Sequence, residues 1–460
     1  MGKERVIIIG AGPAGYVAAI RASQLGGEVI LVEKEEVGGT CLNRGCIPTK
    51  SLLTSARILN LVKNAQKFGI EVEKASFNFS RIMERKSKIV NQLRGGVHYL
   101  LKNYKVKLIK GKASFLNSQK IRIETDKEKE EIEGRKIIIA TGCEPSLPPE
   151  LDTSNSLILT SREILKLKTL PESLLIVGGG VIGCEFASIF SELGTKITLV
   201  EMTERLLPNE DKRISLIIEK IFREKGIRIL TKTRFKKMKR SGEEVKVQFD
   251  NGEEVSINKV LFSTGRKPLT FDLHLQNANL KRNQKGYISV DEKMQTNISG
   301  VYAAGDITGE PLLAHKAFAE GIVAAENALG VPSKMDSKAI PNCIFTSPEI
   351  GTVGLTIEQA KERGINIKLG RFSFSGNGKA QIQNETTGFV QLIFEKKSGK
   401  ILGGQIIGPE ATNLIHEIVL SIKWGLTIEN MANTFHAHPT LSETIMEAAR
   451  SALKKPIHSI

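Results

Sequence analysis

The pattern of hydrophobic and polar positions predicts two copies of one supersecondary unit. In each copy an apolar run leads into a glycine cluster, a helical stretch of small residues follows, and a second apolar run ends in an acidic residue. The runs are 6–9 and 29–32 in the first copy, and 174–177 and 196–200 in the second. The glycines are Gly10, Gly12 and Gly15, then Gly178, Gly180 and Gly183, and the acidic residues are Glu33 and Glu201. The acidic residue stands 23 positions after the first glycine in both copies.

A glycine cluster between a strand and a helix is typical of a dinucleotide-binding turn. The first glycine permits a tight turn, the second lets the backbone approach a pyrophosphate, and the third lets the helix pack on the strand. The helix N-terminus offers unpaired amide groups to the phosphates, and the acidic residue accepts hydrogen bonds from ribose hydroxyls. The alternative is two doubly wound units that bind no phosphate. We predict that the two copies bind two dinucleotides.

Further apolar runs extend both units, and the pattern of predicted strands and turns changes near residue 341. Predicted strands lie at 136–142, 259–265, 300–306, 367–374, 389–394 and 401–407, and helices lie near 410–423 and 440–453. Short strands joined by short turns after residue 341 indicate an antiparallel sheet. We therefore predict an α/β fold with two Rossmann-like domains and a C-terminal α+β domain. The predicted ranges are 1–150 (first domain), 151–270 (second domain), 271–340 (central part returning to the first domain) and 341–460 (α+β domain).

Composition and charge narrow the function classes. Of the 460 residues, 40% are hydrophobic and 25% are charged, which is ordinary for a globular protein. The net charge of +16 is spread along the chain, and its densest cluster, 236–240, lacks aromatic residues. That cluster predicts a solvated hairpin edge rather than a nucleic-acid site. No apolar run reaches the roughly 18 residues of a membrane span, and no signal peptide fits residues 1–5, so we expect a cytoplasmic protein.

Two of the five cysteines stand close together. The five are Cys41, Cys46, Cys143, Cys184 and Cys343, an odd count that argues against a structural disulfide framework. Residues five apart in a helix lie about 7.5 Å apart along its axis. Cys41 and Cys46 therefore bond only if the segment between them departs from a helix, which Gly45 allows. The alternative is two free buried cysteines that happen to be neighbours in sequence.

The position of the second cysteine predicts different properties for the two thiols. Pro48 fits the first turn of a helix that continues through Lys50 to Val62. Cys46 at the N-terminus of that helix would be the better-stabilised thiolate, because the helix dipole lowers the pKa of a thiol. Cys41, in the preceding loop, would be the sulfur that an external thiol attacks.

Two further pairs of residues are candidates for the same chemistry. Lys50 shares a helix face with Cys46 and is expected either to pair with Glu185 across a domain contact or to be an ordinary surface lysine. His438 is suited to remove a proton from an incoming thiol near neutral pH, and Glu443 is placed to orient it. Glu443 also fits a capping box with Thr440 at the start of the last helix, instead of or together with that role.

His436 is the neighbouring histidine of the same segment. We predict that it is a satisfied core histidine and not a second base, since a buried histidine with a partner is the commoner case.

The chain resembles the pyridine nucleotide–disulfide oxidoreductase family over essentially its whole length. The resemblance rests on long and specific motifs: GGTCLNRGCIPTKSLL, ATG at 140–142, GGGVIGCE, STGRKP at 263–268, AAGDIT, LLAHKAFAEG, SPEIGTVG and HAHPTLSE. It implies that the two Rossmann-like domains bind FAD and NAD, and that the α+β domain forms a dimer interface.

The resemblance implies a set of residues for each cofactor, and we predict no metal site. Those implied for FAD are Gly10, Gly12, Gly15, Glu33, Gly39, Thr40, Lys50, Thr141, Gly142, Asp306 and Ala314. Those implied for NAD are Gly178, Gly180, Gly183, Glu201 and Gly265. Because Glu201 would repel a 2′-phosphate, NAD is favoured over NADP, although Arg205 lies nearby.

The resemblance also implies catalytic roles. Cys41 is the interchange sulfur and Cys46 faces the flavin, with Lys50 and Glu185 as an ion pair beside it. His438 is the base and Glu443 its partner. The histidine is supplied by the other subunit of a homodimer with shared active sites, and the His438–Pro439 bond is expected to be cis.

The motifs are most similar to those of family members that oxidise dihydrolipoyl groups and reduce NAD. The implied partners are the lipoyl domains and acyltransferase core of 2-oxoacid dehydrogenase complexes, or the lipoyl carrier of glycine cleavage. Another disulfide reductase, of glutathione or trypanothione type, stays an alternative. No cysteine follows Cys343, which disfavours mercuric and thioredoxin-reductase types. A mainly structural flavoprotein is the alternative outside the enzymes.

Overall fold

The computed structural model describes residues 4–148, 151 and 156–458, so the predicted end of the first domain at residue 150 lies outside the described residues. Its α-helices are α1 (Pro13–Gln24), α2 (Gly39–Arg44), α3 (Cys46–Lys63), α4 (Phe79–Asn103), α5 (Val181–Glu192), α6 (Lys212–Glu224), α7 (Ala314–Ala328), α8 (Ile357–Glu362), α9 (Gly378–Gln383), α10 (Ala411–Trp424), α11 (Ile428–Asn433) and α12 (Glu443–Ala452). Its strands are β1 (Arg5–Ile9), β2 (Glu28–Glu33), β3 (Lys107–Lys110), β4 (Lys112–Asn117), β5 (Lys120–Glu124), β6 (Lys129–Glu133), β7 (Lys136–Ile139), β8 (Cys143–Pro145), β9 (Ile158–Leu159), β10 (Ser173–Val177), β11 (Lys196–Val200), β12 (Arg228–Leu230), β13 (Phe235–Ser241), β14 (Glu244–Phe249), β15 (Glu254–Ile257), β16 (Lys259–Phe262), β17 (Arg266–Pro268), β18 (Val301–Ala303), β19 (Asn342–Ile344), β20 (Glu349–Gly354), β21 (Ile367–Ser373), β22 (Phe389–Glu395) and β23 (Ile401–Gly408).

The two predicted units are two five-stranded parallel sheets with the same internal order. The first sheet runs β18-β7-β1-β2-β3 and the second runs β9-β16-β10-β11-β12. The strand before each glycine cluster lies at the centre of its sheet and is buried on both faces, which explains its continuous apolar run. Both glycine clusters therefore leave the carboxyl end of a central strand, where nucleotides bind in open α/β sheets.

The central part of the chain contributes a strand to the first sheet. Strand β18 pairs in parallel with β7, so residues 303–306 leave the sheet next to the turn after β1. Helix α7 then packs on α1, and a Cβ at Gly321 would lie 2.4 Å from the carbonyl oxygen of Ala14. Only a glycine allows the two backbones to approach so closely. The division of the chain into four ranges stays a prediction.

The C-terminal region is an antiparallel sheet covered by helices, as predicted. Its order is β19-β20-β23-β22-β21, and the strands share one apolar core with α10 and α12. Strands β19 and β20 were not predicted from the sequence. The last helix begins at Glu443 instead of residue 440, because the Thr440 hydroxyl bonds back to the Ala437 carbonyl before the helix starts.

The basic cluster at 236–240 lies in β13, which is the edge of a small antiparallel sheet with β14 and β15. Most of its side chains face water, so the predicted solvated hairpin edge is confirmed. No helix of the described chain is both long and apolar enough to cross a membrane.

Candidate active site

The two cysteines lie on consecutive helices that are separated by one glycine. Helix α2 ends at Arg44 and α3 begins at Cys46, with Gly45 between them at φ −146° and ψ −110°. A Cβ on Gly45 would lie 2.9 Å from the carbonyl oxygen of Thr40. The expected departure from a helix is confirmed. The expectation that Cys41 lies in a loop is wrong, because α2 starts two residues before it.

The two sulfurs are in hydrogen-bond contact, and the contact makes them unequal. The thiol of Cys41 donates to the sulfur of Cys46, which raises the pKa of Cys41 and lowers that of Cys46. The ammonium of Lys50 lowers the pKa of Cys46 further, against the effect of burial. Both residues carry free thiols in this structure. The directions of both shifts and the place of Cys46 at the first position of α3 favour the thiolate on Cys46 over Cys41.

The structure brings Lys50 and Glu185 together. The ammonium of Lys50 lies 2.9 Å and 2.8 Å from the two carboxylate oxygens of Glu185, whose side chain is 5% exposed. Glu185 also accepts a 3.0 Å hydrogen bond from the backbone amide of Phe345. The ion pair joins a helix of the first sheet to a helix of the second one. Its place beside a flavin stays a prediction.

The histidine segment forms a hydrogen-bonded dyad at the surface. Nδ1 of His438 lies 3.0 Å from Oε1 of Glu443, while Oε2 of Glu443 accepts from the amide of Thr440 at 2.9 Å. Glu443 thus bonds to His438 with one oxygen and to the Thr440 amide with the other. The expected capping box is incomplete, because the Thr440 hydroxyl donates to the Ala437 carbonyl and Ser442 is the N-cap of the helix. Burial opposes its ionisation, but the bonds from Thr440 and His438 hold the pKa of Glu443 below its usual range. The His438–Pro439 bond is cis, as predicted.

The two histidines of this segment differ in environment. The side chain of His438 is 76% exposed, whereas that of His436 is 5% exposed and bonded to Glu417 at 2.9 Å. The bond to Glu417 raises the pKa of His436 despite its burial. His436 is the satisfied core histidine that the sequence predicted, and of the two only His438 presents a free ring edge to solvent.

The turn after β1 fits a pyrophosphate. Gly10 has φ +99° and a Cβ there would lie 2.5 Å from the carbonyl oxygen of Ala140, while a Cβ on Gly15 would lie 1.7 Å from the Gly10 carbonyl oxygen. Gly12 is the N-cap of α1, and among the described residues no side chain caps that helix. Its first-turn amides are thus open to phosphate. Glu33, at the end of β2, accepts 2.6 Å and 2.8 Å bonds from the amides of Ala11 and Glu35.

The remaining residues expected to bind the first nucleotide surround this turn. A Cβ on Gly39 would lie 2.6 Å from Cα of Gly12, so the segment that carries Thr40 touches the start of α1. The hydroxyl of Thr141 donates to the carbonyl of Leu269, and Gly142 has φ +70° with open space around it.

The loop after β18 lies beside the turn after β1, since a Cβ on Gly305 would lie 3.0 Å from Cβ of Ala14. Asp306 follows Gly305, whose amide is held by Glu320 at 2.7 Å, and Ala314 begins α7. Burial raises the pKa of Asp306, against the charges of Arg266 and Lys316. The stretch therefore places a desolvated carboxyl at the carboxyl end of β18, beside the turn after β1.

The turn after β10 repeats the same geometry, down to its hydrogen bonds. Gly178 has φ +110°, and a Cβ on Gly183 would lie 1.9 Å from the Gly178 carbonyl oxygen. Glu201 accepts from the amides of Gly179 and Thr203 at 2.7 Å and 2.8 Å, as Glu33 does in the first unit. There is open space around Gly180, the N-cap of α5, and around Gly265. The site fits a second dinucleotide.

Arg205, the cation expected near a 2′-phosphate, is bonded within its own loop. Its guanidinium donates to the carbonyls of Pro208 and Glu210 at 3.2 Å and 3.3 Å. Those bonds hold the cation in its own loop, and the expected contact of Glu201 with the adenosine ribose stays a prediction.

Sequence reasoning missed the contribution of Phe345 to the site. Phe345 contacts both members of the Lys50–Glu185 pair, and its backbone is the continuation of β19. The only signal was the motif that begins at Ser347, to which no role could be attached from sequence alone.

Comparison with known proteins identifies the two parts of the chain. Residues 4–321 match the family described as pyridine nucleotide-disulphide oxidoreductase, and residues 340–449 match the dimerisation domain of that family.

Curated relatives match over the full length. The chain is 41% identical to a dihydrolipoyl dehydrogenase of Geobacillus stearothermophilus, with 100% of this chain and 98% of the relative covered. It is 42% identical to one from Bacillus subtilis (98% and 99% covered) and 41% identical to one from Haloferax volcanii (99% and 97% covered).

Solved structures are similar over nearly the whole chain as well. LpdA of Mycobacterium tuberculosis superposes with a TM-score of 0.92 at 28% identity, covering 97% of this chain and 99% of that one. The HOCl-induced flavoprotein disulfide reductase RclA of Escherichia coli, in its Cu(II) complex, superposes with a TM-score of 0.89 at 30% identity, covering 98% of this chain and 99% of that one.

Proposed function

The chain belongs to the pyridine nucleotide-disulphide oxidoreductase family, and we propose that it oxidises dihydrolipoyl groups to lipoyl groups while NAD is reduced. The observation that carries this proposal is the unequal cysteine pair. Cys46 holds the thiolate at the start of α3, Cys41 donates to it, and the Lys50–Glu185 pair lies beside them. A pair arranged in this way is suited to open and close against an external dithiol.

The cofactors of the enzyme are FAD and NAD. We propose that the turn after β1, with Glu33, Thr141, Gly142 and Asp306, holds FAD, and that the turn after β10, with Glu201 and Gly265, holds NAD. When bound, FAD supplies a carrier that takes two electrons from the cysteine pair and delivers them to NAD.

The residues of the chain provide the thiol chemistry. His438 accepts the proton of the first substrate thiol at its free Nε2, because Nδ1 is bonded to Glu443. The substrate sulfur then bonds to Cys41, the Cys41–Cys46 bond breaks, and Cys46 leaves as a thiolate next to Lys50. The second substrate sulfur displaces Cys41 and its proton passes to the Cys41 sulfur, which leaves a lipoyl disulfide, a Cys41 thiol and a Cys46 thiolate. Two electrons pass from substrate to enzyme, and the pair keeps the charge on Cys46.

The match to the dimerisation domain indicates a homodimer. We propose that each active site takes His438 from the other subunit, since its side chain is 76% exposed on the single chain. The proposed partners are lipoyl domains with the acyltransferase core of 2-oxoacid dehydrogenase complexes, or the lipoyl carrier of glycine cleavage. The cytoplasmic location stays a prediction.

Turnover and spectra of the purified holoenzyme test the proposal. Dihydrolipoamide with NAD should turn over, and Cys41→Ser should abolish it, whereas Cys184→Ser removes a buried thiol that lies outside the redox pair and should leave it intact. Two-electron reduction should give a long-wavelength thiolate-to-flavin band. Faster reduction of glutathione disulfide with NADPH than oxidation of dihydrolipoamide with NAD would instead favour the glutathione-type alternative. Unchanged turnover in Cys41→Ser would disprove the redox role of the pair.

A further inference from the structure

One aromatic residue of the dimerisation region contacts both charges of the Lys50–Glu185 pair. The ring centroid of Phe345 lies 4.6 Å from the ammonium of Lys50, within the range of a cation–π contact. The backbone amide of the same residue donates to Glu185 at 3.0 Å. Phe345, Glu185 and Lys50 thus form a closed set of three contacts. The ring of Phe345 contacts the Lys50 ammonium, and its backbone amide binds the Glu185 carboxylate.

The backbone of Phe345 is held firmly enough to act as such a support. Its neighbours Ile344 and Thr346 are 0% and 4% exposed, and Ile344 packs in the same core as Leu52 of α3 and Phe186 of α5. The hydroxyl of Thr346 bonds to the Pro348 carbonyl at 2.7 Å, which closes the turn between β19 and β20. The ring of Phe345, by contrast, is only half buried. Its position is therefore set by the strand and not by burial of the ring.

Without the ring of Phe345, the ammonium of Lys50 would be less restrained in position. The side chain of Lys50 is 31% exposed, and its partner Glu185 is fixed to the backbone of Phe345. Glu185 contacts the ammonium through two oxygens, and the ring contacts it from another direction. Removal of the ring would leave the ion pair but open one side of the ammonium to water. The charge would then spend less time beside Cys46, whose thiolate it stabilises.

We propose that Phe345 is a positioning residue, which holds the Lys50 ammonium against Glu185 so that a fixed positive charge stands beside the Cys46 thiolate. This inference rests on the proposed function, because it assumes that the cysteine pair is the redox centre. It also assigns a role in the active site to Phe345, which lies in the region that matches the dimerisation domain. The dimerisation region would thus contribute a residue to the redox centre of its own chain, in addition to any residue that it contributes to the partner.

The titration of Cys46 in the reduced holoenzyme tests the inference. Phe345→Leu removes the ring and keeps the backbone amide, Phe345→Tyr keeps both, and Phe271→Leu is a control at a ring that is 92% exposed and forms no part of the site. The thiolate is followed through its charge-transfer band and through alkylation with iodoacetamide at each pH, with the modified cysteine identified by mass spectrometry. Burial raises the pKa of Cys143 to about 12 and that of Cys343 to about 11, so these thiols titrate later.

We expect Phe345→Leu to contain about threefold less Cys46 thiolate than wild type at pH values below the wild-type pKa. Phe345→Tyr and Phe271→Leu should titrate as wild type does. A Phe345→Leu protein that is folded and titrates like wild type would overturn the inference, as would equal shifts in Phe345→Leu and Phe345→Tyr. A wild-type protein without any titrating thiolate band would instead refute the proposed function, so the two failures are distinguishable.

Discussion

Mixed dimers give the sharpest test of how the active site is assembled. If each site joins the cysteine pair of one chain to His438 of the other, a dimer of Cys41→Ser and His438→Gln chains has one complete site and one doubly defective site. If His438 serves the cysteines of its own chain, the same dimer has no complete site. The two arrangements therefore predict opposite results for one protein.

The size of the effect follows from the chemistry of the dyad and from symmetry. Removing a general base costs about a hundredfold to ten thousandfold in rate, so the His438→Gln homodimer should be nearly inactive. Loss of Cys41 removes the sulfur that the substrate attacks, so its homodimer should also be inactive. A two-fold dimer has two equivalent sites, so the mixed dimer should recover about half of the wild-type turnover. The 76% exposure of His438 on the single chain motivates this expectation.

The assay uses two affinity tags to purify only mixed dimers after co-expression, followed by dihydrolipoamide oxidation with NAD. The matched control pairs a wild-type chain with a chain that carries both substitutions. Shared sites predict that this control is inactive, whereas sites within one chain predict about half of the wild-type turnover. A mixed dimer of single variants that stays inactive, together with a half-active control, would refute the shared site.

Three further predictions follow from single contacts. A Cβ on Gly45 would lie 2.9 Å from the Thr40 carbonyl oxygen, so Gly45→Ala should lower the free energy of unfolding by about 1–3 kcal/mol in denaturant titrations. Gly95→Ala, in the middle of α4 with open space around it, should raise the free energy of unfolding by about 0.5–1 kcal/mol. Equal changes in the two variants would contradict the close approach of Gly45 to Thr40. Burial opposes ionisation of Glu447, but bonds from the amides of His458 and Ile457 hold the pKa of its carboxyl below its usual range. A lowered folded-state pKa contributes stability that is present above the unfolded value of about 4.3 and is lost as pH falls through the folded value. Stability of Glu447→Gln should thus depend less on pH in that acid window, and an unchanged slope in acid titrations of unfolding would disprove the contribution. Glu201→Ala should raise the KM for NAD by roughly tenfold to a hundredfold, since it loses the ribose acceptor and the bonds to two amides. Steady-state assays should show no gain of NADPH use in that variant, because Arg205 stays bound to backbone carbonyls, and efficient NADPH turnover would contradict this.

Local features of the site were predictable because they depend on a few neighbouring residues. Glycines with positive φ, such as Gly10 and Gly178, are required by the turn itself, so their spacing marks both nucleotide turns in the sequence. The break at Gly45 and the start of α3 also follow from local chain geometry. The prediction that Cys41 lies in a loop was wrong, because a six-residue helix that ends at Arg44 has too few residues for a periodic pattern.

Contacts between distant residues were decided only by the tertiary structure. Lys50 and Glu185 are 135 positions apart, and Glu185 and Phe345 are 160 apart, so no periodicity in the chain relates them. The sequence determined two nucleotide turns, a cysteine pair and a histidine dyad, since each of these depends on residues that are close together along the chain. The packing of two sheets and an antiparallel domain decided that a lysine, a buried glutamate and an aromatic ring meet beside one thiolate. The physical reason is that a charge is stabilised by whatever surrounds it in space, and burial brings together side chains from all three regions of the chain.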